Sequence, residues 1–105
     1  MAFYGTGVIH CWVCFNGDAG IRDSHQVSSV SENGTGDYTV NFSSACANTD
    51  YSWTASVEHT SVSTEAAPIG ITGSRTSSAV RFRTRNVNGS NVDRPYNHCH
   101  VFGDP

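Results

Sequence analysis

The stretch Val27-Ser-Ser-Val-Ser-Glu-Asn-Gly-Thr-Gly-Asp-Tyr-Thr-Val-Asn-Phe42 decides the fold. Two β-rich runs, Val27 to Glu32 and Asp37 to Phe42, flank the short segment Asn33 to Gly36. Asn and Gly accept the positive φ values that a tight loop demands, so the three parts predict a β-hairpin. Period two places Tyr38, Val40 and Phe42 on one face of the second strand and Asp37, Thr39 and Asn41 on the other. So clean an alternation makes one face core and the other polar.

Upstream, Val8 to Phe15 (VIHCWVCF) is a mostly apolar run closed by Asn16-Gly17-Asp18, which reads as a strand and a turn. Ile9, Cys11, Val13 and Phe15 share one face; Val8, His10, Trp12 and Cys14 share the other. Both faces look at least half covered, as in a strand between a core and a second subunit, or within a thick single-chain sandwich. Downstream, Ser43 to Asp50 is a connection, and Tyr51 to Val57 sets Tyr51, Trp53, Ala55 and Val57 together as a third core strand. From Glu58 to Ser78 the periodicity fades, apart from a short Ile69-Gly70-Ile71 piece, and loops of such length often carry function. Val80 to Asn86 then turns Val80, Phe82 and Thr84 inward and Arg81, Arg83 and Arg85 outward in a row. After a second Asn/Gly turn around Asn88 to Ser90, the final strand, Tyr96 to Phe102, sets Tyr96, His98, His100 and Phe102 opposite Asn97, Cys99 and Val101. About six to eight short strands with little or no helix predict an all-β fold, a small antiparallel β-sandwich formed as one domain over residues 1–105.

Composition agrees. Ser, Thr, Asn and Gly dominate, while leucine and lysine are absent, so the helix-forming residues are scarce. A net charge of -3, carried with six arginines and no lysine, argues against a nucleic-acid partner, because phosphate neutralisation needs clustered basic side chains. No stretch approaches the roughly 20 apolar residues of a membrane span, so no membrane insertion is expected. Met1 to Gly7 carries no export-signal pattern, which predicts a chain made in the cytoplasm. There the four cysteines read as thiols or metal ligands rather than a disulfide framework, although oxidation after leaving the cell stays open.

The segment Ile21 to Ser52, IRDSHQVSSVSENGTGDYTVNFSSACANTDYS, resembles a module of tailed-phage virion proteins familiar in phages of cyanobacteria and other aquatic bacteria. Such modules show an aromatic strand ending in FNG, a DS…VSS strand, NGTGDYTVNF, a D/N-x-Y-S strand, an RxRT strand and a final Y-x-H-x-x-V-F-G strand. The matching positions here are Cys11 to Gly17, Asp23 to Val30, Asn33 to Phe42, Asp50 to Ser52, Arg81 to Thr84 and Tyr96 to Gly103. The resemblance implies a β-rich domain of a fibre, tail or other exposed virion component, commonly trimeric, placed to meet a host-surface receptor and without enzymatic activity. Two departures stand out: cysteines where the family pattern has other small or polar residues, and a module that begins almost at Met1. The second raises the expectation of a free-standing small virion protein, such as a capsid decoration protein or a short terminal knob, rather than a long fibre with a shaft.

Several constellations carry candidate chemistry. His10-Cys11-Trp12-Val13-Cys14 near one end and His98-Cys99-His100 at the other hold imidazole and thiol, the ligands preferred by zinc and related metals. His98 and His100 point the same way on a strand, and repeated about a threefold axis they would bind one transition-metal ion and pin a trimer. Against a chelate, Cys11 and Cys14 fall on opposite faces of a regular strand; the bland reading is buried thiols and hydrogen-bonded histidines. A disulfide is a third reading for Cys11, Cys14, Cys46 and Cys99, with Cys11 to Cys99 conceivable if the first and last strands are neighbours. Asp23-Ser24-His25 has the residue types of a triad, but consecutive strand residues do not converge on one reacting atom. The arginine row, Arg81, Arg83 and Arg85, suits an anionic receptor glycan or carboxylates of a neighbouring subunit, and Trp12 is the aromatic most open to stacking on a sugar.

These readings combine into the expectation of a non-enzymatic virion protein: a homotrimeric tail-fibre or tail-tip module that contacts other phage structural proteins and a host-surface glycan or protein. A capsid decoration protein is the second expectation. A small carbohydrate-active enzyme is the third, disfavoured because no acid pair is selected by spacing.

Overall fold

The computed structural model describes residues 9–58, 66–70, 75–86 and 88–105, and these form an all-β sandwich with no helix among them. Eight strands follow in chain order: β1 Ile9–Phe15, β2 Ile21–His25, β3 Val27–Gly34, β4 Asp37–Phe42, β5 Ser52–Glu58, β6 Ala66–Gly70, β7 Ala79–Asn86 and β8 Tyr96–Phe102. One sheet has the order β2-β1-β8-β5, the other β3-β4-β7-β6, and every pairing is antiparallel.

The hairpin is β3 and β4, but its loop is tighter than the Asn33–Gly36 segment as a whole. Gly34 pairs with Asp37, which leaves Thr35 and Gly36 as the loop, and the register slips beside Asn33 as a bulge. Gly36 takes φ +63°, and a Cβ there would lie 2.6 Å from both the N and the O of Val92, so both conformation and space require glycine. The bulged Asn33 turns its amide back to Thr39 Oγ1 (2.8 Å).

Between the sheets, the faces foretold by alternation meet. Phe15, Tyr38 and Phe82 are fully buried, with Phe15 and Tyr38 edge to face at 5.0 Å. Val13, Val40, Val80 and Val101 fill around them, and Trp53, half-buried on the edge strand β5, stacks on Phe82 at 5.8 Å. Thr84 and Asn97 are buried among these apolar groups and bonded to backbone: Thr84 to the Val92 carbonyl, Asn97 to those of Phe15 and Arg94.

Three readings change. The single DS…VSS strand that the resemblance implies over Asp23 to Val30 is divided between β2 and β3, because Gln26 at φ 56° bends the chain from one sheet into the other; such corners are how a chain switches layers. His10 does not share the outer face with Trp12 and Cys14. The β1–β8 register slips between Ile9 and Cys11, and His10 is buried, its ring against Phe42 (5.8 Å) and its Nε2 2.7 Å from the Ser44 carbonyl. Finally, the irregular region contains β6, Ala66–Gly70, paired with β7; residues 59–65 and 71–74 of the expected functional loop lie outside the described residues, as does Val8.

Candidate functional site

The two outer faces of the sandwich differ in kind. On the β2-β1-β8-β5 sheet, Trp12 of β1 pairs with His25 on one side and His100 on the other, and His100 in turn with Thr54. One row along, Cys14 pairs with Asp23 and His98, and His98 with Ser56. Beyond β1's end, Arg22 reaches across to lie over the Tyr96 ring, 4.2 Å from its centroid. Phe102 closes the opposite end, and Ile21, Tyr96 and Phe102, the exposed large apolar residues among the described ones, all belong to this sheet. His98 Nε2 donates to Glu58 Oε2 at 2.7 Å, which ties β8 to the edge strand.

His98 and His100 therefore do point to one side, half-buried, as their spacing predicts. Within one chain, no three His, Cys, Asp or Glu side chains among the described residues stand close enough together to hold a metal ion. Trp12 and Cys14 are half-buried beside these histidines, so β1 is two-sided as expected. Asp23 and His25 face outward with their partners Cys14 and Trp12, while Ser24 pairs with inward-facing Val13, so the three residues do not converge as a triad.

All four cysteines are free. β1 and β8 are neighbours, but Cys11 pairs with Val101 and Cys99 with Val13, which sets the two thiols diagonally rather than opposite. Burial pushes the thiols of Cys11 and Cys99 up to about 12, with the nearby Cys46 adding to the effect on Cys11 and Cys11 to that on Cys99. Cys46 is raised by burial too. A protonated, buried thiol is a poor nucleophile and a poor metal ligand, which places these three in the core.

On the other outer face, the arginine row is engaged within the chain. Arg81 grips Asp37 with two bonds, Nε to Oδ1 at 2.9 Å and Nη2 to Oδ2 at 2.8 Å. Arg83 adds Nε to Oδ2 at 3.3 Å, and Arg85 Nε reaches Asn91 Oδ1 at 3.2 Å. The hydrogen bond from Arg81 above all holds the Asp37 carboxyl down to about 2. Asp37, expected as one more polar outer residue, is 6 % exposed and is the hub of this face. The nearest signal in the sequence is its position at the hairpin's end, which the register sets against Arg83 of β7.

Sequence reasoning also missed a junction at one end of the sandwich. The Tyr38 hydroxyl shares its proton between the Gly17 carbonyl (2.7 Å) and Asp93 Oδ1 (3.0 Å), and Asp93 Oδ1 also accepts the Gly36 N–H (2.8 Å). Burial, then Asp93, raises the phenol's pKa, so Tyr38 stays a donor. The hairpin loop, the β1–β2 loop and the segment before β8 are thus joined through one core tyrosine.

No helix among the described residues is long and apolar enough to cross a membrane. No protein-family model, curated protein or solved structure matches the chain.

Proposed function

We propose that the protein is a non-enzymatic structural component of a tailed-phage virion, a homotrimeric tail-fibre or tail-tip module that takes part in attachment to the host. One observation carries this reading: exposed and half-buried aromatic and histidine side chains gather on the β2-β1-β8-β5 face, while on the opposite face Asp37, Arg81, Arg83 and Arg85 are paired within the chain. A contiguous patch holding Trp12, Tyr96, His98, His100 and Phe102 suits burial against copies of the same chain, since aromatic side chains dominate interface cores and exposed apolar patches mark contact surfaces. The motifs from Ile21 to Ser52 and the sandwich that they build support the virion assignment. In the trimer, His98 and His100 of each copy surround the axis and bind one transition-metal ion; His100 is the freer ligand, because Glu58 holds His98 Nε2.

An electron-microscopy map of the phage particle tests the assignment. Density for this sandwich at the tail tip or on fibres supports it, whereas density on capsid lattice points makes the protein a decoration protein instead. Sedimentation equilibrium tests the trimer, and a monomer at high micromolar concentration overturns it. Elemental analysis of the purified trimer tests the ion.

A further inference from the structure

The end of the sandwich joined by Tyr38 also forms a shallow, open depression of about 510 Å³, lined by Asn16, Gly17, Asp18, Arg22, Asp93, Arg94 and Pro95. Its walls are closely fitted: a Cβ on Gly17 would lie 2.9 Å from the Arg94 carbonyl oxygen, so the β1–β2 loop rests directly on the segment before β8. Two sets of polar atoms beneath its lining stay unpaired. Arg94 Nε and Nη2 are buried without an acceptor among the described residues, and so is Asn16 Oδ1 without a donor. The acids nearby do not relieve them. Asp93 Oδ1 serves Gly36 and Tyr38, Asp18 Oδ1 accepts the Gly20 N–H at 3.0 Å, and neither makes an ion pair with Arg94.

Nε and Nη2 form one edge of the guanidinium, the edge that takes a carboxylate with two parallel bonds. The same molecule demonstrates it, since Arg81 binds both oxygens of Asp37 through those two atoms. A buried donor left unpaired costs about 1–3 kcal/mol, more when charged, so the Arg94 edge calls for an anion. Above it, the loop from Asn16 to Gly20 contains Ala19 at φ 70°, a strained conformation for a residue with a Cβ.

We propose that this depression binds a sugar acid: its carboxylate docks on the Nε/Nη2 edge of Arg94, and a ring hydroxyl donates to Asn16 Oδ1. The edge lies below the surface, so the ligand enters as the strained Asn16–Gly20 loop lifts off the segment before β8. Lifting releases the Gly17 carbonyl from the Tyr38 hydroxyl and leaves that proton to Asp93, and Arg22, stacked on Tyr96, forms the cationic rim. The lining also carries Asp18 and Asp93, so the pairing geometry of Arg94, rather than net charge, selects the ligand. The choice of a saccharide rests on the host-attachment reading above, while the carboxylate site follows from the atoms alone.

The test is an NMR titration of the ¹⁵N-labelled protein with glucuronate, glucose and acetate, following the backbone amides of Gly17 to Gly20 and the arginine Nε–H signals. Saturable shifts of the Arg94 Nε–H and the loop amides with glucuronate, absent with glucose and at least tenfold weaker with acetate, support the site. In Arg94→Lys the glucuronate affinity falls at least tenfold. In Asn16→Ala, which keeps the guanidinium, glucuronate binding weakens while acetate binding does not. Absence of shifts with both acids, or full affinity in Arg94→Lys, overturns the site; equal affinity for acetate and glucuronate overturns the saccharide. Arg94-dependent glucuronate binding by a protein absent from purified virions sinks the attachment reading alone, and a virion protein that ignores glucuronate sinks this site alone.

Discussion

The outer faces of the two sheets are built from the same kind of strand, yet one is closed on itself and the other is not. On the β3-β4-β7-β6 face, Asp37 holds Arg81 and Arg83, and the Asn41 amide bridges Ser29 and Ser31 across the hairpin at 3.1 and 3.2 Å. These groups find their partners on a neighbouring strand, where register places them, and Arg85 finds Asn91 in the segment after β7. On the β2-β1-β8-β5 face, the two central strands set Trp12 beside His100 and Cys14 beside His98, and the hydrogen bond from His98 to Glu58 lies toward the edge. The lesson is that side-chain satisfaction, rather than exposure alone, separates a face that ends a protein from a face that seeks a partner.

The contrast can be broken at the hairpin first. Gly36→Ala combines positive φ with backbone contacts of 2.6 Å, and should cost roughly 3–5 kcal/mol or prevent folding; thermal melting near the wild-type value would show that the Thr35-Gly36 loop is not the anchor of that sheet. Next comes Asp37→Asn, with an expected loss of about 1–2 kcal/mol once screening at the half-exposed arginines is allowed for. The Asp37 carboxyl sits at about 2 in the folded chain against an ordinary 3.8. Its contribution is therefore complete above about pH 4 and fades as pH falls through 2, so urea melts of wild type and variant should converge at the acid end. A gap that persists at pH 2 would mean that the carboxylate's charge is not what matters.

Smaller effects sharpen the comparison. Asn41→Ala removes two exposed hydrogen bonds and should cost about 0.5 kcal/mol. Phe102→Thr, on the other face, keeps a strand former at a position already 38 % exposed, and should change monomer stability by less than about 0.5 kcal/mol. It should nevertheless weaken self-association in sedimentation, where Asn41→Ala leaves it unchanged. Equal effects of the two variants on assembly would erase the distinction between the faces.

Much of the sandwich was legible because period two is a local property. The faces of β4, β7 and β8 follow residue by residue from alternation, including the inward Thr84 and the outward His98 and His100. Where the backbone departs from the regular pleat, local patterns mislead: the bulge at His10 moves inward an imidazole that alternation places outside, and the bend at Gln26 divides between two sheets the one strand that the resemblance implies over Asp23 to Val30. No residue type at either place announces this, since neither is Gly or Pro.

The sequence by itself determined the all-β class, the hairpin and which side chains share a face, since steric alternation and glycine's conformational freedom act within a few residues. Only the tertiary structure decided which strands adjoin, and with them who meets whom. Asp37 meets Arg81 because β4 lies beside β7, Tyr38 meets Gly17 and Asp93 because the sheets stack, and Arg94 remains without an acceptor because none of the described residues reaches its Nε/Nη2 edge. Such pairings join residues far apart in the chain, and their energies depend on distances that no local pattern encodes.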